Sequence, residues 1–137
     1  MGVTVLDSGI LIAILDRDDA HHRAALAAVS SALERHDDLV VPASAYAEAH
    51  VTPSRNGAPA IAIYDGLVDG LPSRVEPASR TIGAAAAELR ARFGPVLKLP
   101  DALVIATAQV LRADRILTTD RGWPTTGVPI EIVADPD

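Results

Sequence analysis

Four acids in this 137-residue chain, Asp7, Glu48, Asp101 and Asp120, occupy places from which a fold can bring carboxylates together. Asp7 ends the β-branched apolar run Val3-Thr4-Val5-Leu6, and Asp120 ends a similar run, Arg115-Ile116-Leu117-Thr118-Thr119. A near-continuous apolar run is how a central parallel strand reads, because helices cover both of its faces, and the carboxyl ends of such strands line the ligand crevice of an open α/β sheet. Glu48 lies among alanines in the helix-like stretch after Pro42, four residues from Ser44 and on the same helical face. Asp101 stands in the first turn of the strongly apolar helix Ala102 to Leu111. Four neighbouring carboxylates repel and raise one another's pKa, so a cluster of them persists chiefly when cations neutralise it. Oxygen ligands without His or Cys select Mg²⁺ or Mn²⁺, and two such ions about 3.5–4 Å apart can activate a water and stabilise the departing oxygen of a phosphodiester.

Each acid also has a plainer reading. Asp7 can cap the apolar helix that begins at Ile10, and Asp101 can cap its own helix or favour its dipole. Glu48 can be a solvated surface charge, and Asp120 can close an Asx turn before Gly122. What favours a shared site is the joint pattern: strands alternating with helices predict a right-handed parallel sheet with its strand-end acids gathered along one edge. With about five strands in the order 3-2-1-4-5, the point where the order reverses lies between the strands ending in Asp7 and Asp120. Asp101 and Glu48 then come from the flanking helices.

The remaining elements read as follows. Ser8-Gly9 allows a tight turn into a helix over Ile10 to Leu15, and Asp18 or Asp19 can cap a second helix from Ala20 to Arg35. Leu39-Val40-Val41 is a second buried strand, stopped by Pro42 ahead of a helix from about Ala43. Thr52 to Gly57 reads as a loop on its Pro and Gly, followed by a helix over Ala58 to Val68 and a short edge strand over Ser73 to Glu76. Pro77 to Phe93 is an amphipathic helix, and Val128 to Val133 a last strand, with Pro129 tolerable only near an edge.

At 14.3 kDa and 49% hydrophobic residues the chain fits one domain, 1–137, able to bury about two-thirds of the surface its unfolded form exposes. The absence of Cys excludes disulfides and thiolate-bound zinc, which is compatible with the cytosol. The longest apolar stretch, Ile10 to Leu15, is far too short to span a membrane. The net charge of −6 lies wholly in the first half and argues mildly against nucleic acid, an argument that weakens if the acids bind divalent cations. A mean hydropathy of +0.23 in so small a chain points to an apolar face covered by a partner.

The strand ending in Asp7-Ser8, the helical Ser44-Ala-Tyr-Ala-Glu48, the run Asp101-Ala-Leu-Val-Ile-Ala-Thr-Ala108 and Thr118-Thr-Asp120-Arg-Gly-Trp123 together resemble the PIN-domain ribonucleases, specifically the VapC-type toxins of toxin–antitoxin pairs. The resemblance covers essentially the whole chain. It implies a three-layer α/β/α domain in which Asp7, Glu48, Asp101 and Asp120 hold Mg²⁺ or Mn²⁺, with Ser8 and Thr118 as supporting polar groups. It implies cleavage of RNA by hydrolysis, a homodimer, and inhibition by an antitoxin lying across the site. Trp123 departs from the Phe that the family often carries there. A catalytically idle interaction module with the same fold is the alternative. A phosphoaspartate hydrolase or receiver fits poorly, since Gly9 replaces a second acid and no Lys follows Lys98. RNA contacts would fall to dispersed basic groups such as Arg55, Arg90, Arg92, Lys98 and Arg121.

Overall fold

A computed structural model describes residues 1–135 of the chain. Five strands, β1 (Val3–Leu6), β2 (Asp38–Pro42), β3 (Ser73–Glu76), β4 (Arg115–Thr118) and β5 (Ile130–Ile132), form one sheet in the order β3-β2-β1-β4-β5, every neighbouring pair parallel. This is the expected order, with the reversal between β1 and β4. Val5, Leu6, Val40, Val41, Ile116 and Leu117 are all buried. Consecutive buried residues in the inner strands, rather than alternation, mean that both faces of the sheet are covered.

The helices are α1 (Ser8–Leu15), α2 (His22–Glu34), α3 (Ala43–Asn56), α4 (Ala58–Gly70), α5 (Arg80–Phe93) and α6 (Leu99–Leu111). Helix α1 begins at Ser8 rather than Ile10, α6 begins at Leu99 rather than Ala102, and β5 covers only Ile130–Ile132 of the expected Val128 to Val133; three further differences from the sequence reading have a visible cause. Helix α3 runs on through Thr52 to Asn56 with Pro53 buried inside it, so this stretch is not a loop. A proline there removes one donor and crowds the preceding turn, yet burying its ring keeps the helix intact as far as Gly57, whose positive φ of 101° ends it. Helix α2 begins at His22, because Asp19 accepts the His21 N–H in a turn of its own (2.8 Å). Helix α5 begins at Arg80, where the Ser79 hydroxyl caps the Ile82 N–H (3.2 Å).

Two polar clusters fix the frame. Tyr64, fully buried on α4, donates its hydroxyl to the Tyr46 carbonyl of α3 (2.9 Å), and Tyr46 donates to Asp65 (2.6 Å), which locks α3 against α4. At the amino ends of the strands, buried Asp37 accepts from the Gly2 N–H (3.0 Å), the Thr4 hydroxyl (2.8 Å), Arg35 (3.2 Å) and Arg115 (3.1 Å). That one carboxylate ties the starts of β1, β2 and β4 together. Among the described residues no helix is long and apolar enough to cross a membrane.

Candidate active site

Each acid reaches the carboxyl end of the sheet by a different route. Asp7 follows the last residue of β1, and Asp120 comes two residues after the end of β4. Helix α3 leaves β2 at that same end, which puts Glu48 in its second turn there. Helix α6 runs back toward the amino end to enter β4, so its first turn, with Asp101, also lies at the carboxyl edge.

Asp7 is the buried member, 4% exposed. Its Oδ2 accepts the Thr118 hydroxyl (2.7 Å), and the same hydroxyl accepts the Asp120 N–H (3.1 Å), so Thr118 bridges β1 to the Asp120 turn. Its Oδ1 is buried with no hydrogen-bond partner. Although Asp7 stands at the N-cap position of α1, its carboxylate makes no capping bond, which removes the plainer reading for this residue. Burial pushes the Asp7 pKa up to about 6 against the Thr118 hydrogen bond and the nearby Ser8 N–H dipole, and the charges of Asp101 and Glu48 push it further.

Glu48, on an exposed stretch of α3, is also raised, first by partial desolvation of its carboxyl and then by Asp101, with Lys98 acting against both. Asp101 is raised by desolvation and by Asp120, while Trp123 and Lys98 draw it down. The four acids thus form one electrostatic cluster. Asp120 is exposed, as is Glu48, and the Oδ1 of Asp120 accepts the Gly122 N–H (2.7 Å), so the Asx turn is present. As placed, no three acidic or imidazole side chains among the described residues stand close enough to enclose one ion. The donor set nonetheless fits a hard divalent cation: oxygen only, strongly negative, and with one buried carboxylate oxygen left without a donor.

Of the basic groups, Lys98 is the one whose charge acts on Glu48 and Asp101. It is the N-cap residue of α6, and the turn before it is held by Arg90, whose guanidinium donates to the carbonyls of Gly94 (2.9 Å) and Leu97 (2.7 Å). Arg90 therefore shapes the loop rather than waiting for a ligand. Arg92 lies over the Phe93 ring, 5.1 Å from its centroid. A groove of about 500 Å³ along α3, lined by Tyr46, Ala47, His50, Val51, Ser54 and Arg55, includes none of the four acids.

Sequence reasoning misplaced the role of Gly9. Its φ is not positive, and what it supplies is space: a Cβ there would run into the Thr119 hydroxyl. Gly9→Ala should therefore cost about 1–3 kcal/mol and displace the Thr119–Asp120 turn. Removing the obstructing group with Thr119→Ala in the same chain should restore most of that loss, and chemical denaturation of the single and double variants measures it.

A model of the PIN domain family matches residues 4–128. Among solved structures, the chain resembles the toxin VapC20 of Mycobacterium tuberculosis, described as cleaving the sarcin–ricin loop, with 16% identity and a TM-score of 0.66 over 82% of this chain and 86% of that one. It resembles VapBC2 of Rickettsia felis bound to promoter DNA, with 13% identity and a TM-score of 0.71 over 94% and 97%. It also resembles a toxin–antitoxin complex from Klebsiella pneumoniae, with 24% identity and a TM-score of 0.62 over 85% and 86%. These likenesses speak to the fold. No curated protein matches the sequence.

Proposed function

Because the chain belongs to the PIN domain family, we propose that it is a metal-dependent endoribonuclease, the toxin of a toxin–antitoxin pair, with Asp7, Glu48, Asp101 and Asp120 holding Mg²⁺ or Mn²⁺. The observation that carries this reading is Asp7: a buried carboxylate with one oxygen tied to Thr118, the other without a donor, and two further acids acting on its charge. Buried carboxylate oxygens are in the large majority hydrogen-bonded, so an orphaned one near further acids favours a ligand there. When bound, the cation would supply an activated water and stabilise the oxygen that leaves phosphorus.

The chain's own groups prepare the site for that chemistry. Thr118 fixes the rotation of the Asp7 carboxylate and couples it to the Asp120 turn through one hydroxyl. The Ser8 N–H, at the start of α1, favours the ionised form of Asp7, and burial opposes it. Lys98 relieves part of the repulsion between Glu48 and Asp101 and brings a positive charge to the edge where a phosphate of RNA would enter.

Support for partners is of a different kind. Ile63 of α4 is 66% exposed, and Ile12 and Val51 are also exposed, apolar side chains open to a partner. A homodimer and an antitoxin resembling VapB are the occupants we propose for such surfaces, in keeping with relatives solved as toxin–antitoxin complexes. The purified chain should cleave structured RNA with Mg²⁺ or Mn²⁺ and fall silent in EDTA. Cleavage undiminished by chelator would overturn the mechanism, and a broad RNA panel left intact with metal present would favour the idle interaction module.

A further inference from the structure

We propose that the pocket beside Trp123 is a nucleobase subsite, which takes one base of the RNA strand whose backbone crosses the acids; the proposal rests on the nuclease reading above. The pocket has a volume of about 400 Å³ and is lined by Arg121, Trp123, Thr125, Val128, Ile130 and Ile132, among others. That is within the range of small-ligand sites and ample for one base.

Its position links it to the acids. Arg121 directly follows Asp120, and the Trp123 indole stands close enough to Asp101 for its N–H to act on that carboxylate. The indole nitrogen is buried and has no well-formed hydrogen bond of its own. Trp123, Val128 and Ile130 both pack against the hydrophobic core and line the pocket, so the core holds Trp123 in place where it meets the cavity. The turn that carries it is held at both ends, by the Asp120 N–H on the Thr118 hydroxyl (3.1 Å) and the Gly122 N–H on Asp120 Oδ1 (2.7 Å).

A fixed aromatic face beside a cation is what stacks a base. Every base has a π-face, and single-stranded RNA is recognised by stacking on aromatic rings and on guanidinium planes. Arg121 makes no ion pair among the described residues and is exposed, which leaves it available to a flanking phosphate. A pocket for a protein side chain needs no cation next to a carboxylate cluster that would bind metal; a nucleotide uses both.

Trp123 is the only tryptophan, so its emission reports on the pocket directly. End-labelled oligoribonucleotides titrated into the metal-free protein in EDTA should change Trp123 emission saturably, with the midpoint found by anisotropy of the label. An oligonucleotide carrying an abasic site at one particular position should bind without that change, and inorganic phosphate should leave emission unmoved. Trp123→Ala should weaken binding about tenfold or more, whereas Trp123→Phe, which keeps an aromatic face, should weaken it much less. Melting curves of both variants separate this from misfolding. RNA that binds in EDTA without changing emission and is then cleaved once Mg²⁺ is restored, or Trp123→Phe binding as weakly as Trp123→Ala, would overturn the subsite and leave the nuclease reading intact. Emission that responds only to a protein partner would reassign the pocket. Failure of the parent to bind or cleave any RNA would overturn both.

Discussion

Asp7→Asn should abolish RNA cleavage by several orders of magnitude while leaving a metal-free protein at least as stable as the parent. The substitution keeps the side chain's shape and its acceptor for the Thr118 hydroxyl. It removes a negative charge from the most desolvated place in the acid cluster, where the carboxyl pKa is pushed up to about 6 from an ordinary 3.8. A folded-state pKa raised above the unfolded value means that Asp7 favours folding when protonated and that this contribution is lost as pH rises from about 4 through 6. The size of that shift corresponds to roughly 3 kcal/mol at neutral pH. Part of the gain is offset, because the Asn amide would occupy the place of an oxygen that has no partner. The melting midpoint of the metal-free variant should therefore equal or exceed the parent's at pH 7, and its stability should lack the parent's decline between pH 4 and 6. If Asp7 were a helix cap, Asn would serve as well and neither activity nor its pH dependence would change.

Asp37→Ala should do the opposite: lower stability without touching the chemistry. Its carboxylate satisfies the buried Thr4 hydroxyl, the Gly2 N–H and two guanidinium groups, and none of these can pair with a methyl. Loss of a buried acceptor shared by several donors should cost about 2–4 kcal/mol, or about 10 °C in midpoint for a chain of this size. Burial raises the Asp37 pKa, but the bonds from Thr4, Arg35 and Gly2 and the Arg35 charge outweigh it and hold the carboxyl below its ordinary value. A depressed folded-state pKa places its stabilising effect above about pH 4 and removes it as pH falls through the lower folded value, so only the parent should lose this component on acidification. The folded fraction of the variant should bind metal and cleave RNA as the parent does, since Asp37 lies at the amino ends of the strands. Loss of cleavage beyond the loss of folded protein would contradict this division of roles.

The contrast between these two acids shows what the sequence carried. Asp7 and Asp120 were legible because apolar runs stop at them, and a parallel sheet turns two strand ends separated by 113 positions into neighbours. Asp101 was legible from its place in the first turn of an apolar helix, and the sheet order from the alternation of strands and helices. Asp37 was not legible as an anchor, because its role depends on Thr4, Arg35 and Arg115 converging from three elements, and that convergence has no periodicity. The same holds for Gly9, whose requirement comes from Thr119 on another segment. Pro53 misled for the converse reason: a local breaker signal was overridden by burial of its ring within α3. Lys98 and Trp123 were visible as residues, but only the fold shows that their side chains act on Glu48 and Asp101.

The central claim is that the acid cluster is a divalent-cation site, and Mn²⁺ binding to the metal-free chain, followed by calorimetry at pH 7, tests it most directly. Saturable binding should appear in the parent, with a rise in melting midpoint that follows occupancy, and both should be lost or greatly weakened in Asp7→Asn. Binding of equal strength in parent and variant, or none in a parent that cleaves RNA in EDTA, would contradict the account.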